Sequence, residues 1–403
     1  MSKAKLPREI QLGLIREKHN QLPSIMNENE VTCWVIFIRE TEANPDPVMD
    51  LVIGGDVVWE SAFIFNNNED GFSKVAIVGN FDAPAEKEKE IWDEVIPYKE
   101  GITDPLRKYI DKINPQDIAL NYSEDDVVSD GLSHGMFLKL SNILADKEER
   151  FISAAPLIQA IRGRKTETEI KLITDACKLT EKINQTITAK LKVGMSEPEI
   201  QKLYHEEMDR LGVLEAWQRA SCPAIDAGPE KELGHVGPSP RFYTKKGHTL
   251  HNDFGIKFQG YCSDLQRMWF FGTEPPAELT HAFETVREAI LKAADFIKPG
   301  VTGYSVDCIA REFVKSRDYE EYAHALGHQI GAKAHDGGVI LGPLWERYGD
   351  TPKGLVEENN TFTLELHVKT KSYGTVSLEE NIVVTRDGCQ FLVPPQENFI
   401  LIK

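Results

Sequence analysis

A pattern that occurs twice constrains this chain more than any single motif. A long amphipathic helix, predicted over roughly 167–192 behind a Thr166/Glu169 capping box, ends at KVGMSEPEI (192–200). There Gly194 stops it, and Ser196 with Glu199 starts the next helix. The helical stretch EPPAELTHAFETVREAILKAADFI (274–297) ends at the similar phrase KPGVTGYSV (298–306), and another helix comes after it. The two phrases lie about 105 residues apart. Glycine followed by serine or threonine is ordinary helix punctuation, so the phrase alone carries little weight. The strands beyond each copy carry more. After the first comes a hairpin with Asp253 and Asp264, 11 apart; after the second come paired strands with Glu365 and Glu379, 14 apart. Two half-domains, each offering two acids from a hairpin, would form a central site where they meet.

The acids are out of place in strands. Aspartate is a poor strand former, and an unpaired buried carboxylate is costly. The first hairpin, NDFGIKFQGYCSD (252–264), is expected to turn near Phe258–Gly260, which sets Asp253 and Asp264 opposite each other. In the second, FTLELHV (362–368) and TVSLEENIVVT (375–385) flank a turn centred on Ser372, again with Glu365 facing Glu379. Carboxylates that close repel unless a proton or a cation lies between them. Edge-strand acids facing water would explain one pair, but two corresponding pairs are harder to dismiss that way. A third element, HALGHQIGAKAHDGG (324–338), gathers His324, His328 and His335. His324 and His328 could share a helical face, yet Gly327 and Gly331 favour a loop or strand with close backbone approach. Four acids and one histidine suit two divalent ions such as Mn, Co, Fe or Zn better than a sulfur-bound structural zinc. Surplus acids could bridge two ions about 3.5–4 Å apart.

The rest of the sequence fits a folded chain of about two domains. It has 403 residues, 41% hydrophobic and 27% charged. The first ~155 residues alternate strand-like runs (31–38, 50–54, 61–66, 74–80, 118–122) with helical stretches at 105–113 and after Asp130. This predicts a mixed α/β domain over 1–156 and a second domain over 157–403. VIGGDVV (52–58) lacks the spacing of a phosphate loop. The six cysteines form no CxxC pair, as expected for reduced thiols, and the net charge of −18 argues against a nucleic-acid partner. With no long apolar run and no signal-peptide core at MSKAKLPREI, the expected location is the cytoplasm, with no membrane partner.

At these residues the sequence closely resembles the pita-bread metallopeptidases (family M24), the group of methionine aminopeptidase, aminopeptidase P and prolidase. The likeness covers roughly 157–403. Asp253 lies in NDFG, Asp264 in GYCSDLQR, His328 in GHQIG, Glu365 in FTLE and Glu379 in LEENIVVT. IQAIRGRKTETEI (158–170) also looks like the first helix of the prolidase branch, and the N-terminal domain is similar to the creatinase type. The resemblance implies an α/β (α+β) fold with a pseudo-two-fold pita-bread domain around a curved antiparallel sheet. It implies a dinuclear exopeptidase, manganese foremost, that cleaves between an N-terminal residue and proline in a short peptide, working as a homodimer. Asp253 would hold one metal, His328 and Glu365 the other, and Asp264 and Glu379 both. A metal-bound hydroxide would attack the scissile carbonyl, with Glu365 carrying the proton. His335 matches the substrate-side histidine, His324 the extra histidine of the prolidase branch, and His235, 18 residues before Asp253, the remaining active-site histidine. Three places depart from the pattern, one of them HDGGVILG, which replaces the usual acidic residue and proline after His335. Leu366 stands where proline is common, and Ser377 replaces an arginine expected to meet the substrate carboxylate, a charge that Arg347 could supply instead. A hydrolase of the same fold acting on another small amide or amidine, as creatinase does, is the alternative. A non-catalytic binding protein is a more distant one, because the ligand set is complete.

Overall fold

The computed structural model describes residues 5–69, 71–231, 234 and 237–403. The chain divides into two compact units, Pro7–Arg162 and one built on Gly163–Lys403.

The N-terminal unit is a mixed sheet with helices on both faces. In order it contains α1 (Arg8–Glu28), β1 (Cys33–Ile38), α2 (Met49–Val52), β2 (Ser61–Asn68), β3 (Gly71–Gly79), α3 (Ala83–Glu88), β4 (Glu94–Tyr98), α4 (Thr103–Ile113), β5 (Ile118–Leu120), α5 (His134–Ile143), β6 (Phe151–Ser153) and α6 (Ala155–Gly163). The strand order is β4-β3-β2-β1-β5-β6. CWVIFI of β1 is buried along its whole length because successive side chains enter different cores. Trp34, Ile36, Phe63 and Phe65 fill one face, whereas Cys33, Val35, Phe37 and Ile64 fill the other. The run 50–54, expected as a strand, is instead the short helix α2. Asp46 starts that turn, its carboxylate accepting from Val48 N and its carbonyl from Met49 N. A short apolar run does not reveal its own period. The unit ends six residues later than the sequence suggests, because Leu157, Ile158 and Ile161 of α6 pack into the first core.

The second unit repeats one plan. α7 (Glu167–Thr188) and α8 (Glu197–Leu211) precede β7 (Leu214–Glu215), β8 (Ala224–Ala227), β9 (Thr249–Phe254), β10 (Ile256–Phe258), β11 (Tyr261–Cys262) and β12 (Leu265–Phe271). α9 (Ala277–Phe296) and α10 (Gly303–Ser316) precede β13 (Thr361–Lys369), β14 (Thr375–Thr385), β15 (Gly388–Phe391) and β16 (Ile400–Ile402). Both expected caps form: Thr166 with Glu169, and Ser196 with Glu199, close reciprocal capping boxes on α7 and α8. The main sheet runs β13-β14-β12-β9-β8, all antiparallel, with β15 on β14 and β16 parallel to β12. One core holds Leu250, Phe254 and Trp269 with Ile183, Ile187 and Tyr204 of α7 and α8. Another holds Leu364, Leu366 and Leu378 with Val286, Ile290 and Val306 of α9 and α10. Alternation then sends the intervening residues, His251, Asp253, Glu365, His367, Ser377 and Glu379, to the other face. This is the expected curved antiparallel sheet. None of the six cysteines is bridged, and among the described residues no helix is long and apolar enough to cross a membrane.

Candidate metal centre

The two acid-bearing hairpins differ in register. Glu365 and Glu379 are direct cross-strand partners, as the sequence predicts. Asp253, however, pairs with Gln266, and the hairpin closes at Phe258↔Tyr261. The turn residues are Gln259 and Gly260, both with positive φ (47° and 84°), a conformation glycine adopts without strain. The turn thus falls within the expected 258–260 but is centred one position beyond the midpoint of the two aspartates, so Asp264 lies diagonally from Asp253 rather than opposite it. A shift of two residues in the pairing preserves the face, so both aspartates still point the same way. Gln266 also pairs with Glu379, which joins the two halves of the sheet at the site. Asn381 secures that junction, its amide donating to Asp264 O (2.6 Å) and its oxygen accepting from Asp264 N (3.2 Å).

His328 arrives on an irregular segment that runs along β13, held to it by backbone bonds. Glu365 N donates to Leu326 O, Thr363 N to His328 O, and His328 N to Thr363 Oγ1. Gly327 makes this approach possible, since a Cβ there would lie 1.9 Å from Thr363 O. His328 Nδ1 bonds Gln329 O (3.2 Å), leaving Nε2 3.7 Å from Glu365 Oε1 and 4.0 Å from Asp264 Oδ2. Burial, with the nearby His335, lowers its pKa to about 3, so the ring is neutral and Nε2 holds a lone pair. Donor atoms of Asp264, His328 and Glu379 all lie within 4.8 Å of one another.

The electrostatics ask for a cation. Burial, then Asp253 and Glu365, raise the Asp264 pKa well above its ordinary value. Burial, then Asp264, Glu365 and Asp253, do the same to Glu379. Glu365 is pushed to about 8 by burial and Asp253. Asp264 Oδ1 and Glu379 Oε1 are buried with no hydrogen-bond partner among the described residues. Neutral acids could relieve the repulsion, but they would leave those oxygens unsatisfied. A divalent cation would relieve both costs, so the residues present fit one.

His335, His324 and Arg347 are held in different ways. His335 packs edge-on against His328, ring centroids 4.3 Å apart. His324 Nε2 lies 3.1 Å from His367 Nδ1. Arg347 is exposed, donates to Ala323 O and stacks on Trp345 and Tyr348, beside the segment that carries His324. His235 falls outside the described residues. Three neighbours of the acids were not singled out from the sequence: His251, Gln266 and His367. Strand alternation was the available signal, because His251 and His367 each stand two residues from a strand acid, and Gln266 two from Asp264.

A sheet that converges four acids and a histidine on one face defines a candidate divalent-cation centre. The comparisons narrow that class. The family model described as metallopeptidase family M24 matches residues 171–386, more than half of the chain, and the chain belongs to that family. It is 30% identical over 236 residues, 58% of this chain, to an uncharacterized peptidase of Staphylococcus haemolyticus, and that match spans 64% of the relative, less than two thirds of its length. It is 27% identical over 278 residues to the Xaa-Pro dipeptidase of Pyrococcus horikoshii, covering 68% of this chain and 74% of that one. In fold it is similar to an X-Pro aminopeptidase from Thermotoga maritima, with TM-score 0.70, 24% identity, and coverage of 95% of this chain and 99% of the other.

Proposed function

We propose that this chain is an exopeptidase dependent on two divalent ions, manganese foremost, that hydrolyses the bond between an N-terminal residue and proline. The observation that carries the reading is the buried acid cluster with two unpartnered oxygens beside a neutral histidine. The names of the Pyrococcus and Thermotoga relatives support the substrate class. Asp253, Asp264, His328, Glu365 and Glu379 would hold the ions. When bound, the ions supply Lewis-acid polarisation and offset the charge of the carboxylates. Glu365 would carry the proton between the nucleophile and the leaving amine. His335, beside His328, would steady the oxygen of the carbonyl under attack from the substrate side, and His324, next to His367, would be a further substrate-binding histidine. His235 is retained as the histidine on the leaving-group side and Arg347 as a rim cation. In this reading the chain acts on short peptides as a cytoplasmic homodimer.

One observation favours a second reading. Ser377, where the resemblance expects arginine, is 3% exposed and hydrogen-bonded to Gln266. That place offers no cation to a dipeptide's free carboxylate, which favours a longer peptide or another small amide. An assay of metal-reconstituted protein on Xaa-Pro dipeptides, Xaa-Pro-Yaa tripeptides and Met-Ala peptides separates these readings. The expected result is turnover of the proline substrates, loss of turnover on chelation, and an inactive but folded Asp264→Asn variant. Full activity after chelation would sink the reading, and turnover of none of the peptides would shift it to the other amide.

A further inference from the structure

Behind the acids runs a chain of buried hydrogen bonds that the proposed reaction does not use. His251 Nδ1 lies 2.9 Å from Asp226 Oδ2, and His251 Nε2 lies 3.0 Å from Gln266 Oε1. Ser377 Oγ donates to the same Gln266 oxygen, and Gln266 Nε2 donates to Glu365 Oε2 (3.1 Å). Asp226, His251, Gln266 and Ser377 are all buried. Asp226 is anchored from behind by Lys231, 3.6 Å away, and Lys231 by Glu197 at 3.2 Å.

An amide has one accepting end and one donating end. The Ser377 hydroxyl donates to the Gln266 oxygen, and the Glu365 carboxyl group meets its nitrogen. With Glu365 ionised, as a metal ligand would be, reversing the amide would put its oxygen about 3 Å from Glu365 Oε2, two acceptors face to face with nothing between them. The surroundings therefore select one orientation. In that orientation Glu365 Oε2 is occupied, while Oε1 lies 3.7 Å from His328 Nε2.

The geometry points to Gln266 as a positioning residue that is oriented by Ser377 and reserves Glu365 Oε2, so that Glu365 presents a single oxygen, Oε1, beside His328. This rests on the proposed metal-binding reading and adds to it the group that sets how Glu365 is presented. Gln266 acts through Glu365, and Ser377 acts through Gln266.

Calorimetric titration of chelator-stripped protein with Mn²⁺ tests the proposal without a substrate. Gln266→Met keeps the bulk and removes the donor, and it should weaken Mn²⁺ binding about 10-fold, within the range of residues that support metal ligands. Ser377→Ala should give a smaller loss, Ser377→Thr should retain parental affinity, and the Gln266→Met/Ser377→Ala double variant should bind no more weakly than Gln266→Met alone. Parental affinity in Gln266→Met, or losses that add in the double variant, would overturn the proposal. Should Gln266→Met fail to melt cooperatively, the Ser377 pair decides: alanine weaker than threonine supports the proposal, and equal affinities overturn it. A parent that binds Mn²⁺ but cleaves no Xaa-Pro peptide removes the proposed substrate and leaves this proposal standing. A parent that binds no divalent ion removes both.

Discussion

At the level of single residues, the metal-free site opposes its own ionisation, and stability should show it. Burial and Asp253 raise the Glu365 pKa from 4.5 to about 8, and burial, outweighing Arg267, raises that of Glu380 to about 7. Between the unfolded and folded pKa values the folded chain binds the extra proton, so stability falls as pH rises through that window. His328 (about 3), His367 (about 4) and His19 (about 4) run the other way, each lowered from 6.5 mainly by burial. The stability they allow is present above pH 6.5 and is lost as pH falls. Between about pH 6.5 and 8 the acids therefore act without opposition from these histidines. Chelator-treated protein should be less stable at pH 8 than at pH 6.5, on the order of 1 kcal/mol per pH unit, as read from urea midpoints. Added Mn²⁺, which competes with those protons, should abolish the fall. A midpoint that rises with pH in the chelated protein would contradict this account. The acids were legible in the sequence because carboxylates inside strands are conspicuous. Gln266 was not, because a glutamine in a strand signals nothing until its hydrogen-bond partners are known.

At the level of elements, α10 does more than cover the sheet. Asp307 (0% exposed) and Arg311 pair by two bonds, of 2.7 and 2.9 Å. Arg311 then donates to Tyr322 O and His324 O, and Asp307 Oδ1 accepts from Leu326 N. One ion pair thus holds the irregular segment that delivers His324 and His328. Arg311→Met should cost about 3–5 kcal/mol of stability, because it leaves Asp307 buried without its partner. It should also raise KM for the substrate, by loosening His324. A denaturation midpoint within error of the parent would show that the segment is held otherwise. Helix limits and the Glu365–Glu379 register came from local signals, namely caps, glycines and a symmetric turn. The Asp253–Asp264 register did not, because a Gln-Gly turn at 259–260 is as compatible with the composition as one centred a residue earlier. The path of 324–338 was equally hidden, since its order comes from contacts with β13 and α10, which lie outside it in sequence.

At the level of the whole molecule, the two units differ in what a cation can do for them. The N-terminal unit has hydrophobic cores on both sheet faces, built from its own residues. Every candidate ligand among the described residues lies in the other unit, on β9, β13 and β14, just before β12, and on the segment after α10. A ligand that binds only the folded form stabilises it by about 2.7 kcal/mol at 100 times its Kd, and it acts on the unit that holds the site. Scanning calorimetry of the intact chain should therefore resolve two transitions, as expected of two separate cores. Mn²⁺ should move one of them upward and leave the other in place. The Asp264→Asn variant should show the same two transitions with neither moving. If the chain instead melts in a single transition that shifts as a whole on adding the ion, the units unfold as one cooperative block, and the metal centre stabilises the N-terminal unit as well as its own.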